Sequence, residues 1–250
     1  MSQSGEPILT AGGEGAARVG AAGSTPPADL AQWRAKLRAE LISRREAVPL
    51  SLRREWGLAI SLLLLRALPL RESMIVGFCW PYRGEYDARP LLRVLRGRGV
   101  RCALPQVLHR AEPLIFRRWA PGVEMRKGTL GIAYPPNTER VEPDLLLVPL
   151  VGFGRAGDRL GYGGGYFDRT LASLAQKPLT VGVGFELARL ESTFPQAHDV
   201  PMDAIVTEAG AQLPHDGRLV PATAQQLKEH LERLAQVRAE TTKQRSLGMP

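Results

Sequence analysis

The segment from Asp144 to Asp168, DLLLVPLVGFGRAGDRLGYGGGYFD, places an apolar run before a glycine-dense loop and a Tyr-Phe-Asp sequence. The apolar run is typical of a strand covered on both faces, and glycine lets backbone N–H groups approach an anion closely. A helix that follows such a loop directs its N-terminal dipole at the same point. This order of parts predicts a strand, a phosphate-binding loop and a helix.

The loop matches neither of the two common nucleotide fingerprints. The last glycine of G-x-G-x-x-G would have to stand at Tyr166, and no Gly-Lys-Ser/Thr follows as a P-loop requires. A flexible surface turn therefore stays open as an alternative. Asp168 falls in the first turn of the predicted helix, where a dipole partner and a magnesium ligand look the same in sequence. Arg159, just before the glycines, carries a planar fork suited to phosphate.

Helices and strands alternate along the chain, which predicts an α/β fold: one domain with a three-layer, open, mostly parallel sheet flanked by helices, Rossmann-like in class. The predicted helices span 29–47, 51–68, 89–98, 167–175, 188–192 and 223–238. The predicted strands span 74–80, 101–107, 114–119, 145–151, 180–184 and 204–207, with 114–119 as an antiparallel companion. Ligands in such sheets bind beyond the C-terminal ends of strands, so the loops after Trp80, Val151 and Thr207 are expected to meet at the site.

The two ends of the chain differ in composition from its middle. Residues 1–28 are rich in Gly, Ala, Ser and Pro, which predicts a disordered leader; we expect a catalytic domain at 29–221, then a peripheral helix and frayed tail at 222–250. The two cysteines, Cys79 and Cys102, lack the spacing of a disulfide framework or zinc site, and no segment is long and apolar enough to span a membrane. We expect a cytoplasmic monomer.

A formal net charge of +8 favours a polyanionic partner. Nucleic acid, a nucleoside triphosphate and a polycarboxylate all fit the charge. A basic nucleic-acid-binding module is weakened as an interpretation because the chain lacks clustered aromatic-basic repeats and a recognition motif. An ATP-dependent kinase or ligase acting on a small substrate is the other alternative.

Three further groups of residues are candidates for a site. Arg34, Arg38 and Arg45 form a stripe beside the apolar face of the first helix, which either leans over a site or faces solvent. Glu85 lies in the loop after the 74–80 strand, on the expected ligand edge. Asp203 opens the last predicted strand, where it is either a turn residue or a partner of Asp168 in binding a hard cation.

Four blocks of the sequence, in order, resemble the 5-formyltetrahydrofolate cyclo-ligase (methenyltetrahydrofolate synthetase) family over roughly residues 30–208. They are the basic helix RAKLRAELISRRE, the loop RGEYDARPL, the block PDLLLVPLVGFGRAGDRLGYGGGYFDRTL and the terminal HDVPMDAIVTE. The third block is highly specific. The resemblance implies an ATP- and Mg²⁺-dependent ring closure of 5-formyltetrahydrofolate, with or without a polyglutamate tail, to 5,10-methenyltetrahydrofolate, with ADP and phosphate released and no nucleic-acid or membrane partner.

The resemblance also assigns roles to residues. Arg159 and Asp168 are the expected catalytic residues, and Asp168 and Asp203 match the magnesium ligands. The expected ATP-binding residues are Arg34, Arg38, Arg159, Leu160, Gly161, Tyr162, Gly163, Gly164, Gly165, Tyr166 and Phe167. The expected folate-binding residues are Trp80, Glu85, Tyr162, Gly163, Gly164, Gly165 and Tyr166.

One departure from the family concerns the charge of the loop. Some family members have G-R-G-K-G where this chain has G-Y-G-G-G at residues 161–165, so two cations are absent. Either the missing charge comes from outside the glycines, with Arg159, Arg155 and Arg169 as the local candidates, or the loop holds phosphate more weakly.

Overall fold

The computed structural model describes residues 25–128 and 131–246. Most of the predicted leader, residues 1–24, and the last four residues of the predicted tail lie outside these ranges. The helices are α1 (Leu30–Ala47), α2 (Leu50–Ala67), α3 (Arg89–Gly97), α4 (Tyr166–Ser173) and α5 (Ala224–Ser246). The strands are β1 (Ile75–Gly77), β2 (Arg101–Gln106), β3 (Ile115–Trp119), β4 (Arg126–Lys127), β5 (Ala133–Tyr134), β6 (Arg140–Val141), β7 (Leu145–Pro149), β8 (Gly152–Phe153), β9 (Arg159–Leu160), β10 (Leu179–Val183), β11 (Ala204–Thr207), β12 (Gly210–His215) and β13 (Arg218–Ala222).

A nine-stranded sheet with the order β13-β12-β11-β10-β7-β1-β2-β3-β6 forms the centre of the molecule. Its middle strands, from β11 through β10, β7 and β1 to β2, pair in parallel. The strands at both edges are antiparallel, and β3 pairs with β2 in this way. The predicted fold class is therefore confirmed, including the antiparallel companion strand.

Both faces of the sheet are covered because successive side chains of a strand point to opposite sides. In β7, Leu145 and Leu147 pack in one core with buried residues of α2, α3 and α5. Leu146 and Val148 pack in a second core with Leu171 of α4. This alternation produces the three layers and explains why the strand is an uninterrupted apolar run.

The chain changes direction between β1 and β7. From β1 it passes to β2 on one side, whereas from β7 it passes to β10 and β11 on the other. At such a switch point the loops beyond the carboxyl ends of two neighbouring strands separate and leave a crevice. Helix α1 packs beside it, since Leu37 and Leu41 share a core with Val151 and Leu160, which follow β7.

Helix α1 begins where the sequence predicts. The carboxylate of Asp29 accepts a hydrogen bond from the backbone N–H of Gln32 at 2.9 Å, which satisfies one of the free donors of the first turn. Within the described residues, no helix is long and apolar enough to cross a membrane.

Sequence and structure differ at two local features. The predicted helix at 188–192 is wrong: a 3₁₀ turn occupies Glu186–Ala188, and the backbone N–H of Leu190 then donates to Phe153 at 2.9 Å, which keeps this segment extended. The hairpin of β12 and β13 was missed. Its turn is Asp216-Gly217, with φ of 47° and 72°, and this dipeptide is itself a hairpin signal in sequence.

Candidate active site

A cleft of about 380 Å³ opens at the carboxyl edge of the sheet. The loops after β1 and β7 form much of its wall, together with the arginines of α1. Nearly all predicted site residues line it: Arg34, Arg38, Trp80, Glu85, Arg159, Leu160, Gly161, Tyr162, Gly163, Gly164, Gly165, Tyr166, Phe167 and Asp168. Asp203 is absent from this lining. The cleft also contains residues that were not predicted: Tyr82, Gln106, Tyr134, His198 and Asp199.

The glycine loop has a backbone that other residues do not adopt easily. Gly163 and Gly165 have φ of 89° and 61°, and α4 begins directly after Gly165. A Cβ at Gly164 would lie 2.6 Å from the ring of Tyr166, so a side chain there would force the ring to move. Arg169 braces the loop, since it donates to the Gly164 carbonyl and its guanidinium lies 5.3 Å from the Tyr166 ring centre.

Two arginines of α1 face the loop and the opposite wall. Arg38 donates through Nε to the carbonyl of Gly161 at 2.8 Å, and its guanidinium lies over Gly163. Arg34 donates to Asp199 at 2.8 Å. Burial, followed by the neighbouring charge of Arg34, lowers the pKa of Arg38 from its ordinary value. An anion bound between these arginines would relieve their repulsion.

Arg159 and Asp168 form an ion pair of 2.6 Å, with side chains only 7 % and 12 % exposed. Asp168 lies in the first turn of α4, as predicted. Its carboxylate also accepts a hydrogen bond from the backbone N–H of Val200 at 3.0 Å. The Nε of Arg159 is buried and has no hydrogen-bond partner among the described residues. A buried donor without an acceptor costs free energy, and the cost is removed when a ligand supplies the acceptor.

The other two candidate arginines bind other groups of the protein, although the Nε of Arg169, like that of Arg159, is buried without a hydrogen-bond partner among the described residues. Arg155 is paired with Glu191 at 2.7 Å, and its side chain is 58 % exposed. Arg169 supports the glycine loop through the Gly164 carbonyl. Neither lines the cleft, whereas Arg159 does. Arg159 is therefore the best-placed substitute for the cations that the loop lacks.

The two aspartates of the HDVPMD segment lie in different environments. Asp199 lines the cleft. Burial raises its pKa, but the backbone N–H of Gln196 and the guanidinium of Arg34 outweigh that effect and hold the pKa below its usual value. Asp203 instead precedes β11, at the amino edge of the sheet. Its carboxylate accepts from Arg238 at 2.6 and 2.9 Å and from the Thr180 backbone N–H at 2.7 Å.

The far side of the cleft is built around Glu85. Its carboxylate accepts from the Tyr162 hydroxyl at 2.7 Å and from the backbone N–H of Tyr82 at 3.0 Å, and it lies 4.0 Å from Arg45. Burial raises the pKa of Glu85, while the Arg45 charge and the two hydrogen bonds oppose the rise. Trp80 forms a flat apolar wall nearby, with the Arg89 guanidinium 4.7 Å from its ring centre.

The cleft offers oxygen ligands of the kind that a hard cation prefers. Asp168 and Asp199 both line it. The carboxylate of Asp168 accepts a hydrogen bond from the backbone N–H of Val200, the residue that follows Asp199. No group of three or more His, Cys, Asp or Glu side chains in the described ranges is arranged to hold a metal. Mg²⁺ commonly uses one or two carboxylates and takes its other ligands from water and substrate phosphates. The residues of the cleft fit that pattern.

Sequence reasoning did not single out Asp199, which lines the cleft, or the contacts of Arg45. Both residues belong to segments that the sequence singles out: Asp199 stands in the HDVPMDAIVTE block and Arg45 in the arginine stripe of α1. Choosing between Asp199 and Asp203 needed the position at which β11 begins. The contacts of Arg45 could not be predicted from sequence, because they depend on how three distant segments pack around its guanidinium.

The switch-point sheet and its cleft of glycines, arginines and carboxylates define an α/β protein with a cleft at the carboxyl edge of its sheet. Residues 30–208 match the model of the 5-formyltetrahydrofolate cyclo-ligase family. The chain is 33 % identical over 172 residues to the Escherichia coli K12 protein of that name, covering 66 % of this chain and 94 % of that protein. It is 32 % identical over 146 residues to the Haemophilus influenzae protein of the same name, covering 55 % and 78 %.

A solved structure supports the same conclusion. The structure of Aquifex aeolicus 5,10-methenyltetrahydrofolate synthetase is similar with a TM-score of 0.63 and 30 % identity, covering 76 % of this chain and 96 % of that chain. The chain belongs to the 5-formyltetrahydrofolate cyclo-ligase family. The resemblance seen in the four sequence blocks is thereby confirmed, and the protein is an enzyme of folate one-carbon metabolism, a ligase.

Proposed function

We propose that the chain closes the ring of 5-formyltetrahydrofolate to give 5,10-methenyltetrahydrofolate, with ATP consumed and ADP and phosphate released. One observation carries the ATP-dependent part: the buried, unpartnered Nε of Arg159 lies beside Asp168 in a cleft whose floor is a glycine loop at a helix N-terminus. A phosphate supplies the acceptor that this donor lacks. The folate part rests on the family.

The chemistry explains the need for ATP. A formyl oxygen is a poor leaving group, so attack of N10 on the formyl carbon does not by itself close the ring. In the proposed reaction the formyl oxygen attacks the γ-phosphorus and ADP leaves. N10 then attacks the formyl carbon and releases its proton to solvent, and the carbon–oxygen bond breaks as the oxygen departs with the phosphate. Catalysis of this kind consists mainly of positioning and of stabilising charge.

The arginines and the glycine loop would bind the triphosphate. Arg34, Arg38 and Arg159 supply charge, while Leu160 to Phe167 supply backbone and shape. Mg²⁺, when bound, would neutralise phosphate oxygens and so make the γ-phosphorus easier to attack. We propose Asp168 as one of its ligands. For the second, the lining of the cleft favours Asp199 over the sequence-predicted Asp203, which does not line the cleft.

The folate would bind between Trp80, Glu85 and the Tyr162 to Tyr166 part of the loop. The carboxylate of Glu85 would accept hydrogen bonds from the amino and ring N–H groups of the pterin, and the indole of Trp80 would pack on its face. Both side chains line the cleft beside the proposed phosphate site, so one cavity would serve both substrates. A cytoplasmic location, a monomeric state, the acceptance of polyglutamate tails and the absence of a nucleic-acid partner stay predictions.

A coupled assay tests the proposal. Purified protein is given 5-formyltetrahydrofolate, ATP and Mg²⁺, while the ultraviolet absorbance of the methenyl product and the release of phosphate are followed together. We expect one phosphate per methenyl group formed, and no product without ATP or with EDTA. Phosphate release without the methenyl product would instead indicate a kinase or ligase with another substrate. RNA or DNA binding that falls steeply with salt, without turnover, would indicate the nucleic-acid module.

A further inference from the structure

Arg45 lies at the end of α1 and is almost completely buried, with 4 % of its surface exposed. A buried guanidinium needs several acceptors to offset its loss of water. Arg45 donates to the backbone carbonyl of Arg83 at 3.0 Å and to that of Leu150 at 3.2 Å. It also donates to the Tyr162 hydroxyl at 2.8 Å. One side chain thus bonds the loop after β1, the residue after β7 and the glycine loop.

The fourth neighbour of Arg45 is Glu85, whose Oε1 lies 4.0 Å from Nη2; each of these two side chains is 5 % exposed. Tyr162 connects them, since its hydroxyl accepts from Arg45 and donates to Glu85 Oε1 at 2.7 Å. Tyr162 belongs to the glycine loop, whereas Glu85 belongs to the loop after β1. Arg45, Tyr162 and Glu85 therefore form a hydrogen-bonded chain across the two halves of the cleft.

We infer that Arg45 is a positioning residue for the folate half of the site, which holds the Glu85 carboxylate in place and fixes Tyr162 against it. This inference rests on the proposed function, because it takes Glu85 as the acceptor for the pterin. Arg45 acts through Glu85 and Tyr162 and does not itself line the cleft. It extends the arginine stripe of α1 from a phosphate-binding role at Arg34 and Arg38 to a role in the other substrate's pocket.

The electrostatics of the network explain why the carboxylate needs this partner. Burial raises the pKa of Glu85, and the charge of Arg45 is the largest effect that opposes the rise. Without Arg45, the carboxylate would take up a proton at a higher pH, and the neutral acid, with one oxygen now a donor, would be a weaker acceptor for the pterin N–H groups. The groups that face or adjoin Glu85 are Arg45, Tyr162, the backbone N–H of Tyr82 and the thiol of Cys79.

The test compares the whole enzyme with Arg45→Met, Arg45→Lys and Tyr162→Phe, and uses Arg44→Met as a control. Arg44 is the neighbouring arginine on α1 and is only partly buried. For each protein we would measure the Kd for 5-formyltetrahydrofolate without ATP, and kcat/KM for folate and for ATP, as a function of pH. Arg45→Met should weaken folate binding on the order of tenfold at neutral pH, as expected for the loss of a charged hydrogen-bond partner.

The pH profile separates positioning from mere structural support. Glu85 accepts hydrogen bonds from the pterin most strongly when ionised, so folate binding should weaken as the pH drops through its pKa; in Arg45→Met this weakening should begin at a higher pH. Arg45→Lys should return the profile toward wild type, and Arg44→Met should match wild type. An Arg45→Met protein that is less stable yet keeps the wild-type pH profile for folate would overturn the inference. If Arg45→Met does not fold, Tyr162→Phe must still move the pH at which folate binding weakens to a higher value, by a smaller amount.

A second measurement keeps this inference separable from the proposed function. The carboxyl ¹³C signal of Glu85, assigned by its loss in Glu85→Gln, reports the ionisation of the carboxylate without any substrate. Its midpoint should move to higher pH in Arg45→Met, or in Tyr162→Phe if the first variant is unfolded. An unchanged midpoint would contradict the role of Arg45 even in an active enzyme. A shifted midpoint in a protein that neither binds nor converts folate would instead contradict the proposed function.

Discussion

The two edges of the central sheet use the same residue types in different ways. At the amino edge a groove of about 630 Å³ is larger than the cleft at the carboxyl edge. Several of its charged side chains already have protein partners: Arg238 with Asp203, Lys228 with Glu232, and Lys177 with the Ala172 carbonyl. At the carboxyl edge, a buried nitrogen of Arg159 has no partner among the described residues. A buried donor without a protein partner, more than cavity size, distinguishes the edge at which we propose that the substrates bind.

The strongest test of this difference is Asp168→Asn. The change removes one negative charge beside Arg159 but keeps the shape of the side chain and an acceptor for the Val200 N–H. If Asp168 binds Mg²⁺, turnover should fall on the order of 100-fold or more. The Mg²⁺ dependence of the remaining turnover should weaken, and circular dichroism should show an intact fold. Near-normal turnover would contradict the metal assignment.

Two single variants, Asp199→Asn at the carboxyl edge and Asp203→Asn at the amino edge, separate an effect on catalysis from an effect on stability. Asp199→Asn in the cleft should reduce turnover by about 10- to 100-fold, the range for groups that hold or orient a metal. Asp203→Asn should leave turnover of the folded protein unchanged, because the carboxylate does not line the cleft. It should lower the free energy of unfolding by about 2 kcal/mol through the weakened contact with Arg238. That corresponds to about 4 to 8 °C in the melting temperature.

The outcome of this pair also decides the original sequence prediction. If Asp203→Asn removes Mg²⁺-dependent activity while the melting temperature is unchanged, Asp203 is a metal ligand as first expected, and the distinction between the two edges fails. Melting curves and initial rates on the same preparations are sufficient to separate the cases.

These aspartates show how far the sequence carries the argument. Apolar runs such as LLLVPL predict buried parallel strands, and parallel strands place their following loops at one edge; the gathering of Glu85 and the glycine loop therefore follows from sequence. The separation of Asp199 from Asp203 does not follow. It depends on the start of β11 and on Arg238 of α5, a residue distant in the chain.

The unpredicted parts of the fold have the same origin. Hairpin β12–β13 contains few large apolar residues, and its burial depends on pairing with β11. The segment at 188–192 has a helix-like composition, but the hydrogen bond from Leu190 to the Phe153 carbonyl keeps it extended. In both places a tertiary contact overrides local preference.

Glu85→Gln tests whether the two halves of the cleft bind different substrates. The amide removes the charge and replaces one acceptor oxygen with a donor, so the KM for folate should rise about tenfold. The KM for ATP should change by less than about twofold, since Glu85 has no contact with the arginines that line the phosphate side. Substrate titrations in which ATP is affected more than folate would overturn the assignment of Glu85 to the pterin.

The smallest effect is expected from Arg155→Gln, which examines which arginine supplies the charge that the glycine loop lacks. Arg155 is exposed and paired with Glu191, so its loss should change the KM for ATP by less than about twofold. Arg159→Gln is the matched partner: it removes the buried donor of the cleft and should raise the KM for ATP about tenfold. If the two variants behave alike, a long-range field rather than a direct contact provides the charge. In that case the effect of both substitutions on the KM for ATP should shrink steeply at high salt, because screening acts on distant charges and spares a buried contact.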